Sequence, residues 1–253
     1  MEIGEIIKDA LVFPFNNTFL STYIVLGMIA GGIMVGTIVS VAMSIKTENM
    51  DALITSVIIG TAAFLVVVFV ISGYGLDIVK SGINMNHQGP KIDFAGQFIK
   101  GLKLFAVNIV YYLIPVIIGV ILAVIFQHWV SGLITIILSV IFSLAAIMAK
   151  CRLAKSEDIM DALSVGQAIG DISRVGIVKV ILLIIVFIVL LLISFSIAAL
   201  LVHGFSTLDG MVGNHVVGVG MLGNYVVGAV MGIIGVYLVF FIGRATGLLY
   251  SDV

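Results

Sequence analysis

The sequence predicts an all-α integral membrane protein, with six transmembrane helices arranged as three hairpins and cytoplasmic amphipathic helices lying at the membrane interface. Three observations carry this. Of 253 residues, 62% are hydrophobic and 10% charged, against roughly 45–50% and about 25% in soluble domains; mean hydropathy is +1.32. Six uncharged stretches are long enough to cross a hydrocarbon core, which takes about 20 apolar residues at 1.5 Å rise each. The cations, finally, fall almost entirely on one side of those stretches.

The spans read as Tyr23–Met43, Leu53–Tyr74, Leu104–Phe126, Val130–Ala149, Val180–Val202 and Tyr225–Ile242. They are continuously apolar and lack the period-2 polar face of a barrel strand. The opening "MEIGEIIKDA" has neither a basic n-region nor a short apolar run with a cleavage site, so no removable signal peptide is expected. Six spans put both termini on one side. That side carries Lys8, Lys80, Lys91, Lys100, Lys103, Lys150, Arg152, Lys155, Arg174, Lys179 and Arg244, whereas the other has Lys46 alone. By the positive-inside rule both termini are cytoplasmic, and a multi-pass protein of the cell membrane is expected.

Each cytoplasmic segment shows apolar residues at helical spacing. In the first, Ile3, Ile7, Ala10 and Leu11 oppose Glu2, Glu5 and Asp9 until Pro14 stops the helix. In "HQGPKIDFAGQFIKGLKLF", Phe94, Phe98, Leu102 and Phe105 recur on one face, with Gln97, Lys100 and Lys103 turned to headgroups. In "KSEDIMDALSVGQAIGDIS", Ile159, Leu163, Ile169 and Ile172 oppose Asp158, Asp161, Gln167 and Asp171. These three stretches are expected to be interfacial helices. One transmembrane domain, 1–253, then divides into units 1–76, 77–149 and 150–253. "GNHVVGVGM" at Gly213–Met221 returns as "GNYVVGAVM" at Gly223–Met231; the first copy forms an outer loop or a re-entrant segment, and the second opens the last span.

Several fragments together resemble a known family. They are the Pro90–Asp93 turn ahead of an amphipathic segment, "GLK" at Gly101–Lys103, "YYLIP" at Tyr111–Pro115, "DALSVGQAIGDI" at Asp161–Ile172 and "RATGLLYSD" at Arg244–Asp252. The chain looks like the archaeal membrane family catalogued as domain of unknown function 4013. That resemblance implies a multi-pass protein and assigns no reaction and no functional residues.

Chemistry is sparse. No span carries an ionisable group at its centre, where pumps and voltage sensors need one. Neutral polar groups remain: Asn108, Tyr111 and Tyr112 near Pro115, and Asn224, which form a possible solute path. His203, Asp209 and His215 are evenly spaced beyond the fifth span, yet lack a ligand geometry, so no metal is expected. Glu157, Asp158 and Asp161 read as a solvated face. No nucleophile elbow, phosphate loop or dinucleotide fingerprint is present, so neither enzyme activity nor a cofactor is expected. A net charge of −1 offers nucleic acid no field. Lys150, Arg152 and Lys155 stand where they can grip anionic headgroups or merely set topology, and Cys151 between them is a weak candidate for acylation.

Glycine spacing says more. Gly27 and Gly31, Gly32 and Gly36, Gly228 and Gly232, and Gly243 and Gly247 each follow GxxxG, which clears one helix face for close approach by another. The first and last spans either pair within one chain or meet a second copy. Expected partners are membrane lipids, further copies in a homo-oligomer and other membrane proteins. The expected role is a non-enzymatic protein that self-assembles and scaffolds the bilayer; a facilitator for a neutral or amphiphilic solute is the alternative.

Overall fold

A computed structural model of the chain describes residues 1–125, 129–212 and 219–251. Among them the helices are α1 (Ile3–Asn16), α2 (Leu20–Lys46), α3 (Met50–Ile83), α4 (Phe94–Ile125), α5 (Trp129–Ser156), α6 (Ile159–Ala162), α7 (Val165–Val175), α8 (Ile177–Val212) and α9 (Val219–Leu249), with no strand. Six of these, α2, α3, α4, α5, α8 and α9, are long and apolar enough to cross a membrane. The protein is therefore an all-helical, multi-pass membrane protein.

Local chemistry places the breaks. Between α2 and α3, Glu48 takes a positive φ of 54°, and the Asn49 side chain accepts the Ala52 N–H at 3.0 Å to cap α3. Gly176, at φ 97°, turns the chain from α7 into α8 in a conformation that costs a residue without a Cβ little. Asp158 caps α6 by accepting the Met160 N–H at 3.0 Å.

Helix α9 is the axis of the fold. It packs on α2, α3, α8 and α1, while α5 holds α4, α3 and α7. The last helix of the chain thus closes against the first two spans. Buried residues concentrate toward one end, over 70–82 in α3, 142–154 in α5 and 236–250 in α9. That end also carries α1, α6 and α7, and we call it the charged end.

Several expectations change here. Pro14 does not stop α1, which runs two residues past it; the missing N–H matters little so close to the helix end, where Asn17 N–H bonds the Pro14 carbonyl at 3.2 Å. The segment from Glu157 is not one helix, because the chain turns at Leu163 and Ser164 between α6 and α7. The stretch from Phe94 is not separate from its span either, since α4 continues without interruption to Ile125, through Pro115. The fifth span runs past Val202 as helix to Val212; residues 213–218, the core of the first "GN" repeat, lie outside the described residues.

Two of the amphipathic stripes meet something other than the expected lipid, whereas Phe94, Leu102 and Phe105 of the third stay exposed. Ile6, Ala10 and Phe13 of α1, and Ala168, Ile172 and Val175 of α7, are buried in the bundle. A helix buries its apolar stripe against whatever apolar surface it reaches, and here protein is in reach. Gln97, expected among headgroups, is 1% exposed, and so is Asp171, expected on a solvated face.

Candidate functional site

The glycine spacings become helix contacts within the chain. A Cβ on Gly27 would meet the Gly232 carbonyl oxygen at 2.5 Å, and one on Gly31 would overlap the Gly228 carbonyl. Gly228 and Gly232 reciprocate against Gly31 and Gly27, so α2 and α9 touch backbone to backbone. Gly243 would meet the Gly75 carbonyl at 3.0 Å, and Gly247 would run into Val79 and Gly82, which fixes α9 on α3. Gly73 and Gly101 do the same for α3 and α4 through Gln97 and Phe69. Gly36 faces only the Tyr225 ring, and Gly32 has nothing within 4 Å.

At the charged end, ionisable side chains knit the helix ends together in three clusters. In the first, Arg244 of α9 is fully buried. Its Nε donates to Asp9 Oδ1 at 2.6 Å, its Nη2 to Asp9 Oδ2 at 3.3 Å and its Nη1 to the Asn86 carbonyl at 2.6 Å. The Phe13 ring lies 4.7 Å from the guanidinium carbon and His87 Nδ1 is 3.3 Å from Nη2. This bidentate, stacked arrangement suits arginine's planar fork.

The second cluster surrounds Arg152 of α5. Its guanidinium bonds the side chains of Asp161 and Gln167, reaches Asp171 Oδ2 at 3.0 Å, and donates from Nε to the Asp161 carbonyl at 3.2 Å. Tyr250, just past α9, donates its hydroxyl to Asp171 Oδ2 at 2.7 Å, and Arg174 approaches Asp171 Oδ1 at 3.4 Å. Burial, followed by the bond to Asp171, raises the Tyr250 hydroxyl above its usual range, so it stays protonated and donating. Lys155 caps the Tyr250 ring, 5.6 Å from its centre.

The third cluster joins α3, α4 and the α5–α6 turn. Lys100 pairs with Asp77, Lys80 with Glu157 at 2.6 Å, and Lys103 donates to the Glu157 carbonyl at 3.1 Å. The Lys80 hydrogen bond, with its charge, holds the Glu157 carboxyl below the usual carboxylate range.

Deeper in the bundle, Tyr23 and Tyr74 stack with ring centres 4.0 Å apart. Tyr23 donates to Gln97 Oε1 at 2.5 Å, and Gln97 Nε2 to the Lys91 carbonyl at 3.2 Å. The Tyr74 hydroxyl meets the Asn17 side chain and, at 3.1 Å, the Pro90 carbonyl. The Gly-Pro turn is therefore tied to α2 and α3 by buried polar groups. Their burial is tolerable because each finds a partner.

The expected contact residues fall apart by role. Of the lipid-contact set, Arg152, Lys100 and Lys103 are engaged internally, Lys155 is exposed, Lys150 is half-buried and Phe94 is 47% exposed. Phe98 packs edge-on to Phe69, 5.7 Å between ring centres. Cys151 is fully buried, its thiol 3.6 Å from the Thr246 carbonyl, so it offers no accessible sulfur for acylation. Of the solute-path set, Tyr111 is buried and donates to the Ala162 carbonyl at 2.8 Å, Asn108 is half-buried, and Tyr112 and Asn224 are exposed. None of the four lines the cavity between α2, α3 and α9. Of the His203, Asp209 and His215 trio, His215 lies outside the described residues, and so does the Asp209 side chain.

Sequence reasoning missed Arg244, Asp171 and Gln97 as interior groups, although their spacing carried a signal. Asp171 shares a helical stripe with Ala168, Ile172 and Val175, and Gln97 shares one with Gly101, Leu104 and Tyr111. Arg244 sits among Gly243, Ala245 and Gly247, the small residues of a packed face.

A cavity of about 390 Å³ lies between α2, α3 and α9. Gly27, Gly31, Gly228, Gly232 and Gly235 form much of its wall, with Phe64, Met34 and Met231, and Ser72 brings the one side-chain hydroxyl. Water is a poor filler, because it requires two to four polar partners.

A bundle of six apolar helices, closed at one end by buried ion pairs, defines a polytopic helical membrane protein. The chain belongs to the family described as Protein of unknown function (DUF4013), whose model matches residues 56–203. The match takes in Asp77, Gln97, Lys100, Arg152 and Asp171, and leaves out Asp9 and Arg244. No curated protein and no solved structure matches the chain.

Proposed function

We propose that the protein is a non-enzymatic component of the cell membrane, both termini cytoplasmic, that self-assembles and organises the bilayer through lipid and partner contacts. The observation that supports this is the sparse packing of the outer halves of α5 and α8. Over 129–141, α5 buries only Ser131, and Ile136, Ile137 and Val140 are more than half exposed. Over 188–201, α8 buries only Ser194, while Leu192, Phe195 and Leu200 are more than 60% exposed. Gly132 on α5 has nothing within 4 Å, which leaves room for a close helix approach of the kind that drives association in lipid. A second copy laid on α5 would complete the bundle there.

Lipid contacts follow from the exposed cations. Lys8, Lys91 and Lys155 stand at the charged end, each worth about 1 kcal/mol beside anionic headgroups. The placement of that end at the cytoplasmic leaflet rests on the eleven-to-one cation bias.

The test is particle mass in native-lipid nanodiscs. The expected result is a discrete oligomer, and Ile136→Trp with Val140→Trp shifts it toward the protomer without lowering the unfolding temperature. Protomers alone, at every protein-to-lipid ratio, would count against assembly.

A further inference from the structure

We propose that the cavity between α2, α3 and α9 is a binding site for one hydrocarbon chain of a bilayer lipid, which enters from the membrane past Met34. The reading is independent of self-assembly, because the site is complete within one chain.

Four observations converge. The first is depth: the wall is made by residues 27–35 of α2, 64–72 of α3 and 227–239 of α9, all in the interiors of membrane-length helices. What surrounds the protein at that depth is lipid chain, present at far higher concentration than any other apolar molecule. The second is chemistry, since about 390 Å³ is bounded by apolar side chains and glycine backbone with a single hydroxyl. Hydrocarbon gains dispersion contacts there, and water has almost nothing to bond.

The third is rigidity. Helices α2 and α9 already touch at Gly27 with Gly232 and at Gly31 with Gly228. Helix α3 is held on α9 at Gly82 with Gly247, and on α2 where Gly60 meets Thr37. Backbone contact of α9 with α2 and α3, and the Thr37 side chain wedged against Gly60 between α2 and α3, prevent the helices from closing the void by moving inward. The fourth is access. Met34 lines the cavity and is 52% exposed, so the rim on the α2 side meets the bilayer, and the thioethers of Met34 and Met231 can adapt to a mobile chain.

Gly235 makes this testable. It lines the cavity, yet a Cβ there meets nothing within 4 Å, so Gly235→Leu adds bulk at the wall from a position where the first side-chain atom strikes nothing. Gly32→Leu is the control: it too meets nothing within 4 Å, and Gly32 is not in the wall.

The full chain is stripped of lipid in detergent, titrated with palmitoyl-oleoyl phosphatidylcholine, and bound lipids are counted by native mass spectrometry. The expected result is one tightly held lipid per protomer, its dissociation constant raised at least tenfold by Gly235→Leu and unchanged by Gly32→Leu. If Gly235→Leu does not fold, Met34→Trp, which narrows the rim from its exposed side, is expected to slow lipid uptake at least tenfold. Equal retention by wild type and Gly235→Leu, equal uptake rates in wild type and Met34→Trp where Gly235→Leu does not fold, or no retained lipid in wild type, overturns the proposal.

Discussion

Replacing Arg244 by alanine destabilises the protein by about 3–5 kcal/mol, the cost of removing one member of a buried ion pair, read as a lower thermal unfolding midpoint in detergent. The side chain is fully buried and spends three donor groups on Asp9 and Asn86. Truncation leaves the Asp9 carboxylate, itself 25% exposed, without its partner. It also strips the Asn86 carbonyl of that bond and opens a void against Phe13. Arg244→Lys is expected to recover little, because an ammonium cannot serve both Asp9 oxygens and the Asn86 carbonyl from one place. The informative variant is the double change Asp9→Leu with Arg244→Met. A buried pair replaced by apolar residues is often neutral, so the double variant is expected to be more stable than Arg244→Ala. If it is equally unstable, the three-way tie of α1, α9 and the 84–93 connection depends on more than this pair's charge.

The second large effect comes from glycine. Gly31→Leu drives a side chain into the Gly228 carbonyl, and overpacking of this sort costs about 1–3 kcal/mol or more. The neighbouring Gly32→Leu meets nothing within 4 Å and is expected to leave the unfolding temperature within a degree or two. Two adjacent glycines on one helix should thus behave oppositely, because one faces α9 and the other faces outward. Thermal unfolding of the two variants, followed by intrinsic fluorescence, checks the contrast.

Much of the architecture was legible because lipid imposes a simple code. The six spans follow from uninterrupted apolarity, and every one becomes a helix. The glycine pairs were legible as packing faces, but their partners were not. GxxxG records a bare face without naming what lies on it, and only the fold brings Gly27 to Gly232 and Gly31 to Gly228. Two of the three amphipathic segments misled for a related reason. Ile6 and Ala10 on α1, or Ile172 and Val175 on α7, form an apolar stripe that suits a bilayer surface or a protein surface equally. Asp171 and Gln97, polar residues in the middle of such stripes, were the available clue, since a lone polar group on a buried face marks a partner rather than a headgroup.

The charged end was only half legible. Lysines and arginines near span ends read as topology signals, and nothing in their spacing tells a free cation from one matched to a distant carboxylate. Arg152 lies 9 and 19 residues from the aspartates it meets, and Arg244 lies 235 from Asp9. The α2/α3/α9 cavity was not legible at all, because a void is a property of three helices held apart.

The α2–α9 glycine seam is internal to one chain, and cysteine crosslinking tests this directly. Val35 Cγ2 lies 2.6 Å from where a Cβ on Gly228 would stand, and native Cys151 is fully buried and stays out of the reaction. With Val35→Cys and Gly228→Cys on the same chain, oxidation in membranes is expected to give a crosslinked product of protomer mass. When the two changes are placed on separate, differently tagged chains and co-expressed, no crosslink should form. Efficient crosslinking between the two tagged chains would contradict the account, because it would make this seam the joint between copies.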